Sequence, residues 1–353
     1  RGEVVDNYFG TEVADPYRWL EDDNAHETAE WVKAQNEVTF GYLNSLPQRE
    51  AIRERLTELW NYPSQSAPSK CGDWYYISRN SGLQNQSVLY RKRDLASADE
   101  ELFLDPNTLS EDGTVALNTA TFSKDGKLFA YSLASAGSDW VEIFVMDAES
   151  KTLLKDHIKW VKFSGASWAP DNKGFYYSAY DAPKEGVYSA QNTNQKVYYH
   201  RIGTSQSEDT LIYADPSRPL HYFHGGESED GRWLFITGSA GTSGTEVLYK
   251  RKGEKRFQTL FEGFEYDYYI LDCYEDVALV LTNNDAPNFR LVAVDLNTRV
   301  CHDIIPQTEH PLEGVSTVGN YLFAFYLIDA QNKVLQYDRK GNLIREVELP
   351  AIG

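Results

Sequence analysis

Cysteine is scarce in this sequence, with three among 353 residues. Cys71, Cys273 and Cys301 are odd in number, widely separated and outside any C-x-x-C pair, so they cannot form a disulfide framework. We expect three buried free thiols. Long apolar runs are missing as well, since stretches such as Tyr321–Ile328 fall far short of the roughly 18 residues that a membrane helix needs. The sequence therefore predicts no membrane span.

Positive charge is also in short supply. The chain has 34 basic and 53 acidic side chains and a formal net charge of -19. Such a chain repels a phosphate backbone or an anionic membrane surface over about a Debye length. Nucleic acid and lipid are therefore excluded as favoured partners. The chain starts at Arg1 without a signal-peptide pattern, so the expected compartment stays open between cytoplasm and periplasm.

The sequence contains no recognisable catalytic constellation. The G-x-S-x-G pattern of α/β-hydrolases needs a glycine on both sides of the serine, and Gly165–Ala169 and Gly241–Thr245 each have only the first. We therefore interpret Ser167 and Ser243 as turn or strand residues. Histidines do not form H-E-x-x-H, and His221 with His224 is too small a set for a metal site. We predict no catalytic residue, no metal and no cofactor in this chain.

The first sixty or so residues have a helical pattern. Asn24 is placed to cap a helix that runs to about Leu46. A second helix is expected to follow directly, because Ser45 and Gln48 have the spacing of a capping box and Pro47 is tolerated in a first turn. This pattern predicts a helical pair at the start of the chain.

The predicted second helix has one apolar face that needs a cover. Its apolar residues recur at i, i+4, i+7 and i+8, and they are Ile52, Leu56, Leu59 and Trp60. Tyr62–Pro68 is rich in proline and serine and cannot continue a helix. We therefore predict two domains, a helical segment over residues 1–66 and a β domain over residues 67–353.

One β unit recurs through the second domain. Each copy has an acidic or amide turn, often with glycine, followed by an aromatic or aliphatic strand, and the copies begin at Cys71, Lys124, Asp171, Glu229, Tyr274 and Val318. Their spacing of about 44 to 59 residues is the length of a four-stranded propeller blade. We predict an all-β fold, a β-propeller of about six blades, preceded by the α-helical segment. A pair of β-sandwiches is the alternative.

Seven stretches in order along the chain carry a family resemblance. They are Asp15–Asp22, Gly82–Tyr90, Leu104–Asn107, Leu109–Leu117, Gly137–Trp140, Gln195–His200 and Gly203–Asp209. In these stretches the chain resembles the prolyl oligopeptidase (prolyl endopeptidase) family. The resemblance covers essentially the whole sequence, and the middle stretches separate it from the related oligopeptidase B branch.

The resemblance implies a larger architecture than these residues supply. It implies a helical segment packed on an α/β-hydrolase domain and a seven-bladed propeller over the active site. The catalytic Ser, Asp and His of the family would lie beyond Gly353, so the chain alone is expected to be inactive. The implied partners are short proline-containing peptides and the hydrolase domain of the same polypeptide.

The resemblance also implies three substrate-pocket positions within the propeller. Tyr176, in the motif Lys173–Tyr177, matches an aromatic that packs against the residue on the amino side of the scissile proline. His224 and Thr242 fall where the family has an apolar side chain and a thiol. These departures from the family pattern make both residues candidates rather than assignments.

Two functions from different classes follow from the sequence. The first is the substrate-gating propeller portion of a serine endopeptidase that cleaves short peptides on the carboxyl side of proline. The second is a self-standing propeller that acts as a protein- or peptide-binding scaffold. The uncovered face of the second helix and a blade count one short of the family favour the first.

Overall fold

The computed structural model describes residues 1–183 and 191–351, which divide into two compact units. The first unit is formed mainly by Arg1–Asn118 and Leu133–Val141. The second contains Thr119–Ser132, Glu142–Tyr180 and the chain from Thr193 onward. The helices and the first sheet belong to the first unit, whereas the candidate site lies entirely within the second.

The chain begins with a small hairpin and a turn. Strand β1 (Val5–Tyr8) pairs with β2 (Thr11–Ala14), and a 3-10 helix follows at Arg18–Glu21. The Arg18 guanidinium donates to Asp15 Oδ2 at 2.7 Å and also to the Asp6 carboxylate. The Arg18 side chain therefore ties the Asp15–Asp22 motif to the hairpin.

The first predicted helix is present, but its predicted cap is wrong. Helix α1 spans His26–Ser45, and its N-cap residue is Ala25 rather than Asn24. The Asn24 backbone N–H donates to Asp22 Oδ1 at 3.2 Å, which holds Asn24 in the preceding turn. The helix consequently begins without a side-chain cap.

The second predicted helix is also present, and the predicted capping box is wrong. Helix α2 spans Arg49–Trp60, with Gln48 as its N-cap residue and no side-chain cap. Ser45 is still the last residue of α1, and its hydroxyl donates to the Tyr42 carbonyl at 2.7 Å. Because that serine closes the first helix, it does not cap the second.

The apolar face predicted for α2 is exposed. Ile52 is 57% exposed and Trp60 is 61% exposed, and the helix has no buried residue. Val38 and Phe40 on α1 are exposed too. Within the part of the chain that the structure describes, both helices thus leave large apolar side chains uncovered, as the sequence pattern indicated.

The remaining strands form six groups, which we call blades 1 to 6 in chain order. Blade 1 has β3 (Ser64–Gln65), β4 (Ser69–Cys71), β5 (Trp74–Asn80), β6 (Val88–Lys92) and β7 (Glu101–Leu104). Blade 2 has β8 (Val115–Phe122), β9 (Leu128–Ser135), β10 (Trp140–Asp147) and β11 (Leu153–Lys162). Blade 3 has β12 (Ser167–Trp168), β13 (Gly174–Ala179), β14 (Lys196–Arg201) and β15 (Thr210–Ala214).

The last three blades are separate four-stranded antiparallel sheets in sequential order. Blade 4 has β16 (Tyr222–Glu227), β17 (Trp233–Ser239), β18 (Thr245–Arg251) and β19 (Gln258–Phe261). Blade 5 has β20 (Tyr268–Tyr274), β21 (Val277–Thr282), β22 (Arg290–Asp295) and β23 (Cys301–Ile305). Blade 6 has β24 (Leu312–Val318), β25 (Tyr321–Ile328), β26 (Gln331–Asp338) and β27 (Leu343–Val347). Blades 2 and 3 join into one sheet through the pair Val161 and Ala179.

The predicted turns join the first and second strands in blades 2 to 6 and join β4 to β5 in blade 1, which confirms the repeat. Two of them share the same hydrogen bonds. In blade 4 the Ser228 hydroxyl donates to Asp230 Oδ1 at 2.7 Å and accepts from the Trp233 N–H at 3.0 Å. Ser123 makes the same two bonds in blade 2, to Asp125 and from Leu128. These hydrogen bonds fix the hairpin before each second strand.

The core of the second unit lies in layers between successive blades. On β21, Ala278 and Val280 pack toward blade 4, whereas Leu279 and Leu281 pack toward blade 6. Since side chains alternate along a strand, a sheet covered on both faces needs a continuous apolar run, and Val277–Leu281 provides one. The central strands of the blades are therefore held at fixed spacing by side-chain packing.

The cysteines are buried only in part, and the predicted domain boundary falls within the first sheet. No disulfide joins the three cysteines, all of which lie in the described residues, but only Cys273 is buried, and the predicted burial of Cys71 and Cys301 is wrong. Cys301 is exposed at the start of β23, which is an edge strand of its blade. The sheet of blade 1 already begins at Ser64–Gln65, which pairs with β5, and the boundary after residue 66 stays a prediction.

Candidate functional site

Two clefts of the second unit meet at one histidine. The first cleft has a volume of about 400 Å³ and is lined by strands of blades 2, 3 and 4. Its walls include Thr121, Ser167, Tyr176 and His224. The second cleft has a volume of about 390 Å³, and its walls include His224 again, with Thr242, Asp267 and Tyr269. The structure therefore brings the three predicted pocket residues to one pair of clefts.

His224 is central because glycines beside it allow close packing. It lies on β16, opposite Thr237 of β17. The next residue, Gly225, has no space for a side chain, because a Cβ there would lie 2.6 Å from Val197 Cγ1. The two glycines after His224 thus let β16 approach blade 3 while the imidazole stays in the cleft.

The His224 ring is accessible to solvent but enclosed by cleft walls. Desolvation by those walls lowers the pKa of His224 below its ordinary 6.5. Among the described residues, no side-chain hydrogen bond holds its ring nitrogens. The neutral imidazole at pH 7 therefore offers one donor and one acceptor to a ligand.

Tyr176 is more deeply placed than an open pocket residue. Its side chain on β13 is 5% exposed, and its ring lies 5.0 Å from the Tyr199 ring in a small apolar cluster. The hydroxyl donates to Glu227, whose carboxylate is also 3.0 Å from Lys252 Nζ. Burial, with the Glu227 carboxylate, raises the pKa of Tyr176. The tyrosine therefore forms a rigid wall of the first cleft, and its role in substrate binding stays a prediction.

Thr242 lies at the exposed end of the loop between β17 and β18. The loop is fixed by Gly244, whose N–H donates to Asp267 Oδ1 at 2.7 Å. Gly244 has a φ of +78° and a missing Cβ that would lie 1.9 Å from the Phe264 carbonyl oxygen, so other residues do not fit there. Thr242 is thus presented by a constrained loop and lines the second cleft.

The rejected serines line the clefts without the local structure of a nucleophile. Ser167 is on the two-residue strand β12, and Ser243 is in the β17–β18 loop. Neither lies at a strand-to-helix turn. Across residues 1–183 and 191–351, no group of three or more His, Cys, Asp or Glu side chains is placed to hold a metal ion. The His221 ring instead packs edge-on against Phe264 at 5.0 Å.

Sequence reasoning missed three groups that shape the clefts. Glu227 anchors the Tyr176 hydroxyl from 51 residues away, and Asp267 anchors Gly244. Tyr269 was also missed, although it is 46% exposed at the start of β20. An exposed aromatic on the first strand of a blade is the signal by which Tyr269 could have been found.

Comparison with known proteins identifies the class. The family described as prolyl oligopeptidase, N-terminal β-propeller domain, matches residues 1–353. The chain belongs to this family, and the predicted resemblance and propeller fold are confirmed.

Individual relatives agree with that assignment. The chain is 43% identical to the prolyl endopeptidase of Elizabethkingia meningoseptica over 99% of its own length and 50% of the relative's. It is 34% identical to prolyl oligopeptidase A of Galerina marginata, over 97% of the chain and 51% of the relative. The chain therefore spans about half the length of the curated relatives it matches.

Solved structures show the same fold. A prolyl endopeptidase structure superposes with a TM-score of 0.88 at 34% identity, over 99% of this chain and 52% of the other. Prolyl oligopeptidase B of Galerina marginata, solved with a 35-residue hydrolysis and macrocyclization substrate, gives a TM-score of 0.86 at 29% identity. That alignment covers 100% of this chain and 54% of the other. None of the described helices is long and apolar enough to cross a bilayer.

Proposed function

We propose that this chain is the substrate-gating propeller portion of a prolyl oligopeptidase that cleaves short peptides on the carboxyl side of proline. The observation that carries this proposal is the family match over residues 1–353, together with relatives named prolyl endopeptidase at 43% and 42% identity. Since the relatives are about twice as long, the proposal includes an α/β-hydrolase domain that supplies the catalytic groups.

The chemistry of that proposal is nucleophilic acyl transfer. A serine of the hydrolase domain attacks the prolyl carbonyl, a histidine accepts and returns the proton, an aspartate orients the histidine, and hydrogen-bond donors hold the oxyanion. The part of the propeller is exclusion, because short or unfolded peptides reach the serine and folded proteins do not.

The paired clefts at His224 support a second role in substrate contact. Their walls offer a neutral imidazole, the Thr242 hydroxyl and the rigid Tyr176 ring. We propose that these three groups contact the substrate on the amino side of the scissile proline. The scaffold alternative is disfavoured by the exposed apolar face of α2, which a complete binding module would cover.

Hydrolysis by the complete protein tests the function. We expect cleavage of a Gly-Pro-p-nitroanilide peptide to exceed that of the Gly-Ala analogue by at least roughly 10- to 200-fold in kcat/KM. A folded protein with exposed prolines should stay intact, and the same protein after reduction and unfolding should be cut. Equal cleavage of the two anilides, or none of either, would contradict the proposal.

A further inference from the structure

A third cleft lies between blades 5 and 6, and nothing above gives it a role. It has a volume of about 610 Å³, larger than either cleft at His224. Its floor is apolar, with Leu281 5% exposed and Leu312 2% exposed. Its walls are the rings of Tyr269 and Phe289, which stack with centroids 6.4 Å apart and an angle of 26°. We call it the Tyr269–Phe289 cleft.

The rim of this cleft is fixed before any ligand binds. The Asn288 side chain donates to the carbonyl oxygens of Thr308 and Glu309, at 3.1 Å each, and its backbone N–H donates to Gln307 Oε1 at 2.8 Å. The Leu312 N–H donates to the Asn288 carbonyl at 2.9 Å. These four hydrogen bonds join the loop of blade 5 to the start of blade 6. Ligand binding would therefore cost little conformational entropy in this rim.

Phe289 is held in an unfavourable backbone conformation. Its φ is +65°, in the left-handed region that a bulky side chain rarely occupies. The tied Asn288 loop maintains this conformation, and the result is an aromatic ring directed beside Tyr269. Strain of this kind persists where the surrounding structure over-determines it, and it concentrates at ligand sites.

The Tyr269–Phe289 cleft adjoins the clefts at His224. Tyr269 lines both this cleft and the one that contains His224 and Thr242. His224 in turn is shared with the cleft that contains Tyr176. The three clefts therefore form a track of neighbouring clefts along the first strands of blades 2 to 6, in which each neighbouring pair shares one wall residue.

The described residues that line this track include acidic but no basic side chains. Asp267 and Glu313 are among them, and none of the described lining residues is a lysine or an arginine. Asp267 is engaged by the Gly244 N–H, but Glu313 is exposed at the Tyr269–Phe289 cleft. A basic group beside an apolar ligand would therefore be favoured there.

We propose that the Tyr269–Phe289 cleft is a distal subsite for an aromatic side chain of an extended peptide, with a neighbouring basic residue paired to Glu313. The subsite rests on the proposed peptidase function, which places the peptide in the clefts at His224. A stacked ring pair over an apolar floor is suited to a third aromatic ring. Longer peptides then gain affinity that a dipeptide anilide cannot.

Binding of matched peptides by the complete protein tests the subsite, with the catalytic serine of the hydrolase domain replaced by alanine so that the Gly-Pro peptides are not cleaved. The probes are fluorescein-labelled ten-residue peptides with one Gly-Pro and a Phe-Lys pair at a series of distances on either side. Matched sets carry Ala-Lys or Phe-Gln, and fluorescence anisotropy gives Kd. At the best distance we expect Phe-Lys to bind about five- to tenfold more tightly than Ala-Lys, a preference that Phe289→Asn removes.

Two further variants sharpen this test. Asn tolerates positive φ, so Phe289→Asn removes the ring without adding strain. Glu313→Gln should abolish the preference for Phe-Lys over Phe-Gln and keep that for Phe over Ala. Tyr274→Thr is the matched control, because Tyr274 is 69% exposed on the same strand as Tyr269 and lies outside the cleft.

Three results would overturn the subsite. The first is equal affinity for Phe-Lys and Ala-Lys at every distance, and the second is a Phe preference that survives Phe289→Asn. The third is sedimentation showing that Phe289→Asn dissociates a dimer without changing peptide affinity, because the cleft would then be an interface between two copies. Cleavage of the Gly-Pro anilide is measured separately, so failure of the subsite is distinguishable from failure of the peptidase function.

Discussion

Two histidines of the second unit lie in opposite surroundings. His200 on β14 is completely buried, with Nδ1 2.7 Å from Asp209 Oδ1 and Nε2 2.9 Å from Asp156 Oδ1. His224 on β16 lines an open pair of clefts. The first residue holds two blades together, and the second is left available to a ligand. The same residue type therefore serves structure in one place and recognition in the other.

The electrostatic consequences are also opposite. Burial disfavours the charged form of His200, but hydrogen bonds and charge attraction from Asp209 and Asp156 outweigh it and raise the pKa of His200 above 6.5. Each ring nitrogen faces a carboxylate oxygen, so the protonated ring can donate to both and join β11 of blade 2 to blade 3. For His224, cleft walls without a nearby carboxylate partner lower the pKa.

The largest effect on stability should come from replacing the buried His200. His200→Asn leaves Asp156 and Asp209 buried without a positive partner, so we expect a loss of about 3–5 kcal/mol in unfolding free energy. Urea denaturation followed by tryptophan fluorescence measures it, and His302→Asn is the control at an exposed histidine of blade 5. If the unfolding free energies of the two variants differed by less than about 1 kcal/mol, the contacts of His200 with Asp156 and Asp209 would not be important for stability.

The dependence of stability on pH should separate the two histidines by sign. The pKa of His200 is raised in the folded state. Its contribution to the unfolding free energy is therefore complete below pH 6.5 and is lost as the pH rises through the folded-state pKa. The pKa of His224 is lowered in the folded state. Its contribution to the unfolding free energy is therefore complete above pH 6.5 and is lost as the pH falls through the folded-state pKa. The slope of unfolding free energy against pH that each histidine contributes should vanish in the corresponding His→Asn variant.

Titration by NMR of the histidine C2 protons checks the same point directly. We expect one resonance, missing in His200→Asn, to titrate above 6.5, and another, missing in His224→Asn, to titrate below it. If both resonances titrated on the same side of 6.5, the contrast between the buried His200 and the open His224 would be contradicted.

Much of the fold was predictable from the sequence, because the signals are local. The Asp-Gly turns at Asp125 and Asp230 each bind their own serine two residues earlier, so the hairpins are encoded within a few residues. The exposed apolar face of α2 was equally visible in the spacing of Ile52, Leu56 and Trp60. The two caps were wrong, because a residue of suitable type does not reveal which helix its side chain serves.

The candidate site was predictable only in part, because its bonds are long-range. Gly244 and Asp267 are 23 residues apart, and Tyr176 and Glu227 are 51 apart. No local pattern connects such pairs, since they depend on how one blade packs on the next. The family resemblance supplied Tyr176, His224 and Thr242 as candidates, but their positions as a buried wall, a shared ring and a loop end required the structure.

The smallest stability effect should come from the open histidine, and there the comparison is tested through binding. His224→Asn removes a solvent-accessible ring without a protein hydrogen bond, so its unfolding free energy at pH 7.5 should stay within about 0.5 kcal/mol of the parent. Loss of one ligand contact of about 1 kcal/mol predicts a roughly fivefold higher KM for a proline peptide extended on its amino side. A loss of stability as large as that of His200→Asn would mean that His224 is a structural residue, and an unchanged KM would remove it from the substrate site.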